Sequence, residues 1–163
     1  MSRIVGLGSV LALGFFAASA AAQSALSASA GAASYDLSGV GTSATAAVRF
    51  ELPVAPRLHA QIGTGFFWYG DQVESQVAML LPEAGVLARL PIGIPLYLGA
   101  GAGRTVGLKG QPEDDFTVFG AAGLEFEDRA GWAVRPELRV RAVDPWAGTI
   151  ADFTVGIRRR FGG

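Results

Sequence analysis

Trp132-Ala-Val-Arg-Pro-Glu-Leu-Arg-Val-Arg-Ala142 is the stretch that decides the fold. The even-numbered positions Val134, Pro136, Leu138, Val140 and Ala142 carry no charge, whereas Arg135, Glu137, Arg139 and Arg141 hold the odd ones. Side chains of a strand alternate between faces with a period of two, so an extended segment here has one oily and one ionic face. A helix would scatter the same charges around its circumference.

The alternation recurs along the chain. Runs of it lie near 25–35, 42–52, 57–69, 77–90, 95–107, 115–127, 131–143 and 149–161, which makes eight predicted strands. Turn formers separate them, as in Pro53-Val-Ala-Pro56, Pro91-Ile-Gly-Ile-Pro95 and Asp128-Arg-Ala-Gly131. Short, evenly spaced connections favour an antiparallel up-and-down meander over any topology with crossover helices, and no linker is long enough to divide the chain. One phase fits throughout: Leu58, Ala60, Ile62, Thr64, Phe66 and Trp68 oppose Arg57, His59, Gln61, Gly63 and Gly65, and Leu96, Leu98, Ala100 and Ala102 oppose Tyr97, Gly99, Gly101 and Gly103. Pro82 and Pro136 fall inside strands, where each removes a ladder donor, an absence that a bulge would accommodate.

Composition narrows the class. The 163 residues are half hydrophobic, with 23 Gly, no Cys and a net charge of −1. Such near-neutrality gives no electrostatic footprint for nucleic acid, and the lack of Cys excludes a disulfide framework or thiolate zinc site. Residues 1–22 read as a cleaved signal peptide: Arg3 is the positive end, Ile4 to Ala18 the apolar run, and Ser19-Ala-Ala-Ala22 the small-residue cleavage region. The expected domain is then 23–163, exported. No other window offers the ~20 apolar residues of a spanning helix, so a membrane crossing would have to use strands.

Magnitude decides which face meets lipid. One Arg on the lipid side near the midplane costs ~2–4 kcal/mol, so the ionic face is expected inside a closed barrel. The predicted lumen network is Arg49, Glu51, Arg57, His59, Glu83, Arg89, Glu125, Arg135, Glu137, Arg139, Arg141, Asp152 and Arg158, with Glu127 and Arg160 on the same inward face. The interior of an eight-stranded barrel is just filled by side chains, so these charges should plug it, with inward glycines such as Gly63, Gly85, Gly101 and Gly123 making room. Phe50, Phe66, Trp68, Phe126, Trp132 and Phe161 near strand ends form the expected aromatic girdles. Arg104 and Arg159 share parity with the lipid face and belong at the interfaces, where the cost falls to ~0–1 kcal/mol. Connections at the end away from the termini hold Tyr35, Asp36, Asp71, Glu74, Lys109, Glu113, Asp114, Asp115, Asp144 and Trp146. The run Glu113-Asp-Asp115 lacks calcium-loop spacing and reads as a solvated loop, so no metal site is assigned.

Leu96-Tyr-Leu-Gly-Ala-Gly-Ala-Gly103, Val134-Arg-Pro-Glu-Leu-Arg139 and Thr154-Val-Gly-Ile-Arg-Arg-Arg-Phe161 resemble recurrent strand sequences of the small eight-stranded outer-membrane barrels, a family that includes the transmembrane domain of outer-membrane protein A. The last is similar to their C-terminal assembly signal, through Thr154, Gly156 and the aromatic Phe161. The resemblance implies the outer membrane of a Gram-negative bacterium, contact with its lipids and insertion by its barrel-assembly machinery. It implies no activity, because the fold hosts many. A monomer without cofactor, in a structural or surface-interaction role without catalysis, is the expectation.

Three alternatives compete. A soluble periplasmic calyx would bind an apolar ligand with the two faces exchanged. A narrow channel would need an open bore. A lipid-modifying barrel enzyme would need a base, and the only His, His59, is inward near a turn beside Gln61 with no Ser clearly placed as nucleophile. No catalytic residue is assigned.

Overall fold

The computed structural model describes residues 23–35, 42–70, 76–109, 114–144 and 148–162. The expected leader 1–22 lies outside them, as do Asp36, Asp71, Glu74, Glu113 and Trp146. The strands are β1 (Ser24–Tyr35), β2 (Thr42–Ala55), β3 (Leu58–Gly70), β4 (Gln76–Arg89), β5 (Leu96–Arg104), β6 (Val106–Lys109), β7 (Phe116–Leu124), β8 (Phe126–Glu127), β9 (Trp132–Val143) and β10 (Gly148–Phe161). Each pairs antiparallel with its neighbours, and β1 bonds to both β2 and β10, so the sheet closes on itself. β5 with β6, and β7 with β8, are halves of single staves; the barrel therefore has eight staves, all within a residue or three of the predicted segments. Closure leaves no edge strand with unpaired backbone groups, the condition for a sheet to stand in hydrocarbon.

The two stave breaks lie opposite the two prolines. Pairing runs Glu83↔Gly103 before the gap and Leu80↔Val106 after it, skipping Pro82; on β9 it runs Gly123↔Glu137 and then Phe126↔Val134, skipping Pro136. The register is the same on both sides of each gap. The prolines therefore delete rungs without inserting a residue, and a gap in the ladder, not a bulge, accommodates them. A bulge does occur in β2, where Val54 is extra between Pro53↔His59 and Ala55↔Leu58.

The turn that follows corrects one expectation. Arg57 is not in the lumen: it sits exposed in the turn joining β2 to β3, at φ 69°, and its carbonyl accepts the Arg89 N–H at 2.8 Å. Inward parity holds only along a strand, and the chain has already begun to reverse at Pro56. The other turns at this end use their residues conventionally. Gly93 and Gly131 take positive φ, and the Asp128 carboxylate accepts the N–H groups of Ala130 and Trp132 at 2.8 and 3.0 Å. These short turns and the outer ends of β1 and β10 share one rim, here called the turn end; segments 36–41, 71–75, 110–113 and 145–147 join strands at the loop end.

Faces segregate as magnitude required. Along β9, Ala133, Arg135, Glu137, Arg139, Arg141 and Val143 are buried, while Trp132, Val134, Leu138 and Val140 are exposed. Arg139 is 1% exposed and Phe153 on the outer surface 58%. A water-facing calyx needs the opposite arrangement, with oil around the axis and ions outside.

Candidate functional site: the charged interior

Long side chains from opposite walls meet across the axis. In the middle of the barrel, the Glu83 carboxylate on β4 accepts Arg49 Nε of β2 at 2.8 Å, Arg141 Nη2 of β9 at 3.0 Å, and Arg139 Nη1 of the same strand. Arg141 also donates to Asp152 on β10. Glu137 accepts Arg139 Nε at 3.0 Å and the Tyr97 hydroxyl at 2.7 Å, with Arg49 Nη1 3.4 Å away. Gln61 Oε1 takes the remaining Arg139 nitrogen, Nη2, at 3.0 Å, so all three nitrogens of that guanidinium are engaged. Pairing and hydrogen bonding of this completeness are what allow charges to stay buried.

A second group lies toward the turn end. Glu51 accepts Arg135 Nη1 and, at 3.0 Å, Arg158 Nε. Glu125 grips Arg89 with both oxygens at 3.1 Å. Aromatic rings fill the space between the arginine planes: the Arg135 guanidinium lies 4.3 Å from the Tyr97 ring centroid and that of Arg139 4.3 Å from Phe119. Glycines give these groups room. A Cβ on Gly63 would stand 2.7 Å from Arg49 Cγ, and Cβ atoms on Gly85 and Gly101 would stand 2.8 and 2.6 Å from the tip of the Phe119 ring.

Twelve of the thirteen predicted network residues are thus inside, Arg57 being the exception. His59 is the weakest member. It is half-buried near the turn end and its Nδ1 has no hydrogen-bond partner, so it forms no base–nucleophile pair on that nitrogen. Arg160 and Glu127 pair with each other at 2.5 Å, partly exposed at the turn-end rim rather than within the network.

Sequence reasoning missed the loop end of the interior. There Ala33, Phe67, Met79, Leu81, Val143 and Ile150 pack into an apolar cluster across the lumen. Their parity is inward, so the alternation already placed them; the assumption that the inward face is polar along its whole length hid them.

The six residues of the expected girdles all have outward parity, but Phe50 is not at the rim. Phe126, Trp132 and Phe161 are exposed at the turn end, Phe66 and Trp68 stack edge-to-face at 6.4 Å toward the loop end, and Phe50 lies farther in, level with Leu26 and Ile62. Arg159 lies 4.7 Å over the Trp132 ring, and Arg104 Nη2 donates to the Asp114 carbonyl at 3.2 Å, so both lipid-parity arginines sit at strand ends with partners. Thr154 and Gly156 are buried and Phe161 is exposed. Asp114 and Asp115 tie into neighbouring backbone: Asp114 Oδ1 accepts the Gly107 N–H at 3.3 Å and the Asp115 N–H donates to Thr105 Oγ1 at 2.8 Å. Among the described residues no group of three or more His, Asp or Glu side chains is arranged to hold a metal ion.

No protein-family model matches the sequence, and no curated protein is similar to it. Solved structures are. Neisserial surface protein A superposes with a TM-score of 0.72 at 12% identity, covering 85% of this chain and 97% of its own. The attachment invasion locus protein Ail of Yersinia pestis, solved with the heparin analogue sucrose octasulfate, gives 0.62 at 14% identity over 86% and 99%. The N-terminal barrel of Pseudomonas aeruginosa OprF gives 0.59 at 13% identity over 86% and 99%. Likeness at such low identity speaks for the backbone alone, and with the closed antiparallel sheet, inward ions and outward oil it shows that this chain has the fold of the small eight-stranded outer-membrane barrels.

Proposed function

We propose that the protein is an integral outer-membrane barrel, exported by the leader at 1–22, with a closed lumen and a structural or surface-interaction role without catalysis. The carrying observation is the way the interior is filled: wall-to-wall ion pairs in the middle and an apolar cluster at the loop end. Pairs that bridge β2, β4 and β9 act as cross-struts, so the filling stiffens the barrel as well as blocking it. In this reading Thr154, Gly156 and Phe161 address the chain to the barrel-assembly machinery, and the aromatic rims fix its depth as a monomer in lipid.

Charge argues for the kind of surface partner. Asp36, Asp71, Glu74, Glu113, Asp114, Asp115 and Asp144 belong to the loop end by chain order, against Arg104 and Lys109. Ail has been solved with a polyanion. An acidic loop end of this kind repels such a ligand, and a cationic or neutral partner suits it better. Planar-bilayer recording tests the closed lumen: the purified protein should give no unitary currents above background, and reproducible steps would make it a narrow channel. Lipid A mass spectra should be the same for wild type and His59→Ala; a change confined to the wild type would make the barrel a lipid-modifying enzyme.

A further inference from the structure

The interior charges do not balance, and the imbalance has an address. Among the described residues, the middle group sets Arg49, Arg139 and Arg141 against Glu83, Glu137 and Asp152, and is neutral. The turn-end group sets Arg89, Arg135 and Arg158 against Glu51 and Glu125 alone. His59 and Tyr97 are the other titratable side chains beside it, and neither adds negative charge, the Tyr97 hydroxyl donating its proton to Glu137 in a hydrogen bond. Because Glu125 is held at both oxygens by Arg89, Arg135 Nε and Arg158 Nη1 stand 3.4 and 3.6 Å from it and make no hydrogen bond. Both arginines are at least 95% buried, and a guanidinium does not shed its proton. The group thus carries one positive charge more than its carboxylates match: Arg135 and Arg158 share Glu51 and Glu125 with Arg89, whose side chain is 26% exposed, and an excess charge held this far from water is costly.

Beside Arg135 lies a cavity of about 10 Å³, enough for one small particle. Its polar wall includes Ser27, Ser29, Arg49, Thr154 and Arg135, and the Ser29 hydroxyl is a further buried group without a partner. Glu137, the acid in that wall, already accepts the Tyr97 hydroxyl and Arg139, with Arg49 close by, so its charge is spoken for. We propose that this cavity binds a single monatomic anion, chloride under ordinary conditions, held by the Arg135 guanidinium and the Ser29 hydroxyl. The ion neutralises the turn-end group. A water molecule fits the space but leaves the charge, and phosphate or sulfate is too large for it. Entry is from the turn end, where Arg89 and His59 are partly exposed, since the apolar cluster closes the other.

The test is melting of the mature protein refolded in detergent, followed by its heat-dependent gel mobility, at fixed ionic strength in sodium chloride and in sodium gluconate. Binding to the folded state alone should raise the midpoint by several degrees in chloride, with single-site saturation. Ser29→Asp supplies the missing carboxylate covalently and should melt alike in both salts. Crystals grown in bromide should show one anomalous peak between Arg135 and Ser29. Equal melting of the wild type in the two salts, or a bromide crystal with only water at that point, would overturn the proposal. Should Ser29→Asp not fold, Ser29→Ala carries the same test: it should lose most of the chloride dependence, and an unchanged dependence would count against the cavity.

Discussion

Glu83 takes three guanidinium groups from two other strands, which makes it the residue whose loss leaves most charge uncompensated. Breaking a buried pair by removing one partner costs ~3–5 kcal/mol, because the orphaned charge remains in a medium that cannot solvate it. Glu83→Gln should therefore lower the unfolding free energy in lipid vesicles by about that amount in a urea titration read by tryptophan fluorescence. Glu127→Gln, which breaks only the exposed pair with Arg160, should cost ~0–1 kcal/mol in the same titration. Equal losses for the two would show that burial does not set the strength of these pairs. Residue identity along a strand was legible because parity is rigid: Arg49, Glu83, Arg139 and Arg158 all stand where counting by twos put them. Arg57 was not legible, since parity has meaning only along a strand and the chain at Arg57 is already reversing, at φ 69°, before β3 begins at Leu58.

At the scale of the strand, the outward row of β9 sets the limit on substitution. Leu138→Arg puts a guanidinium on the oily face opposite Phe153, and should cost ~2–4 kcal/mol if that row meets hydrocarbon near the midplane. Phe161→Arg, at the turn-end rim, should cost ~0–1 kcal/mol, as Arg159 over Trp132 already illustrates. Vesicle unfolding separates the two, and a Leu138→Arg protein as stable as wild type would place that face in water. Pro82 makes a different prediction. The rung opposite it is already missing, so Pro82→Ala should move stability by no more than ~1 kcal/mol, whereas Val86→Pro, which paired with Ala60 and Ala100 has neighbours on both sides, should lose ~3 kcal/mol or more. Strand positions came straight from alternation, but the ladder gaps did not, because whether a proline's nitrogen faces a partner depends on register rather than on local sequence.

Across the whole molecule, charge is sorted by height. The interior groups carry the ion pairs, Arg57, Arg129, Arg159 and Arg160 lie at the turn end with Glu127 and Asp128, and by chain order the connections at the loop end hold more acids than bases. Closure into eight staves was legible from the count and spacing of alternating segments, because an oily stripe on every strand has to be covered all the way round. The apolar cluster of Phe67, Met79, Leu81, Val143 and Ile150 was not, since inward Leu and Met leave the alternation uniform and only three-dimensional packing shows which layer they share. The central claim is directional, and the chain suits a direct test because it has no cysteine to remove. Single nitroxide labels placed at each position of β9 and reconstituted in lipid bilayers should alternate: labels at 134, 138 and 140 collide with dissolved oxygen and stay shielded from a water-soluble nickel complex, and labels at 135, 137, 139 and 141 are shielded from both. Ready access of the nickel complex to 134, 138 and 140 would put the oily face in water and contradict the account.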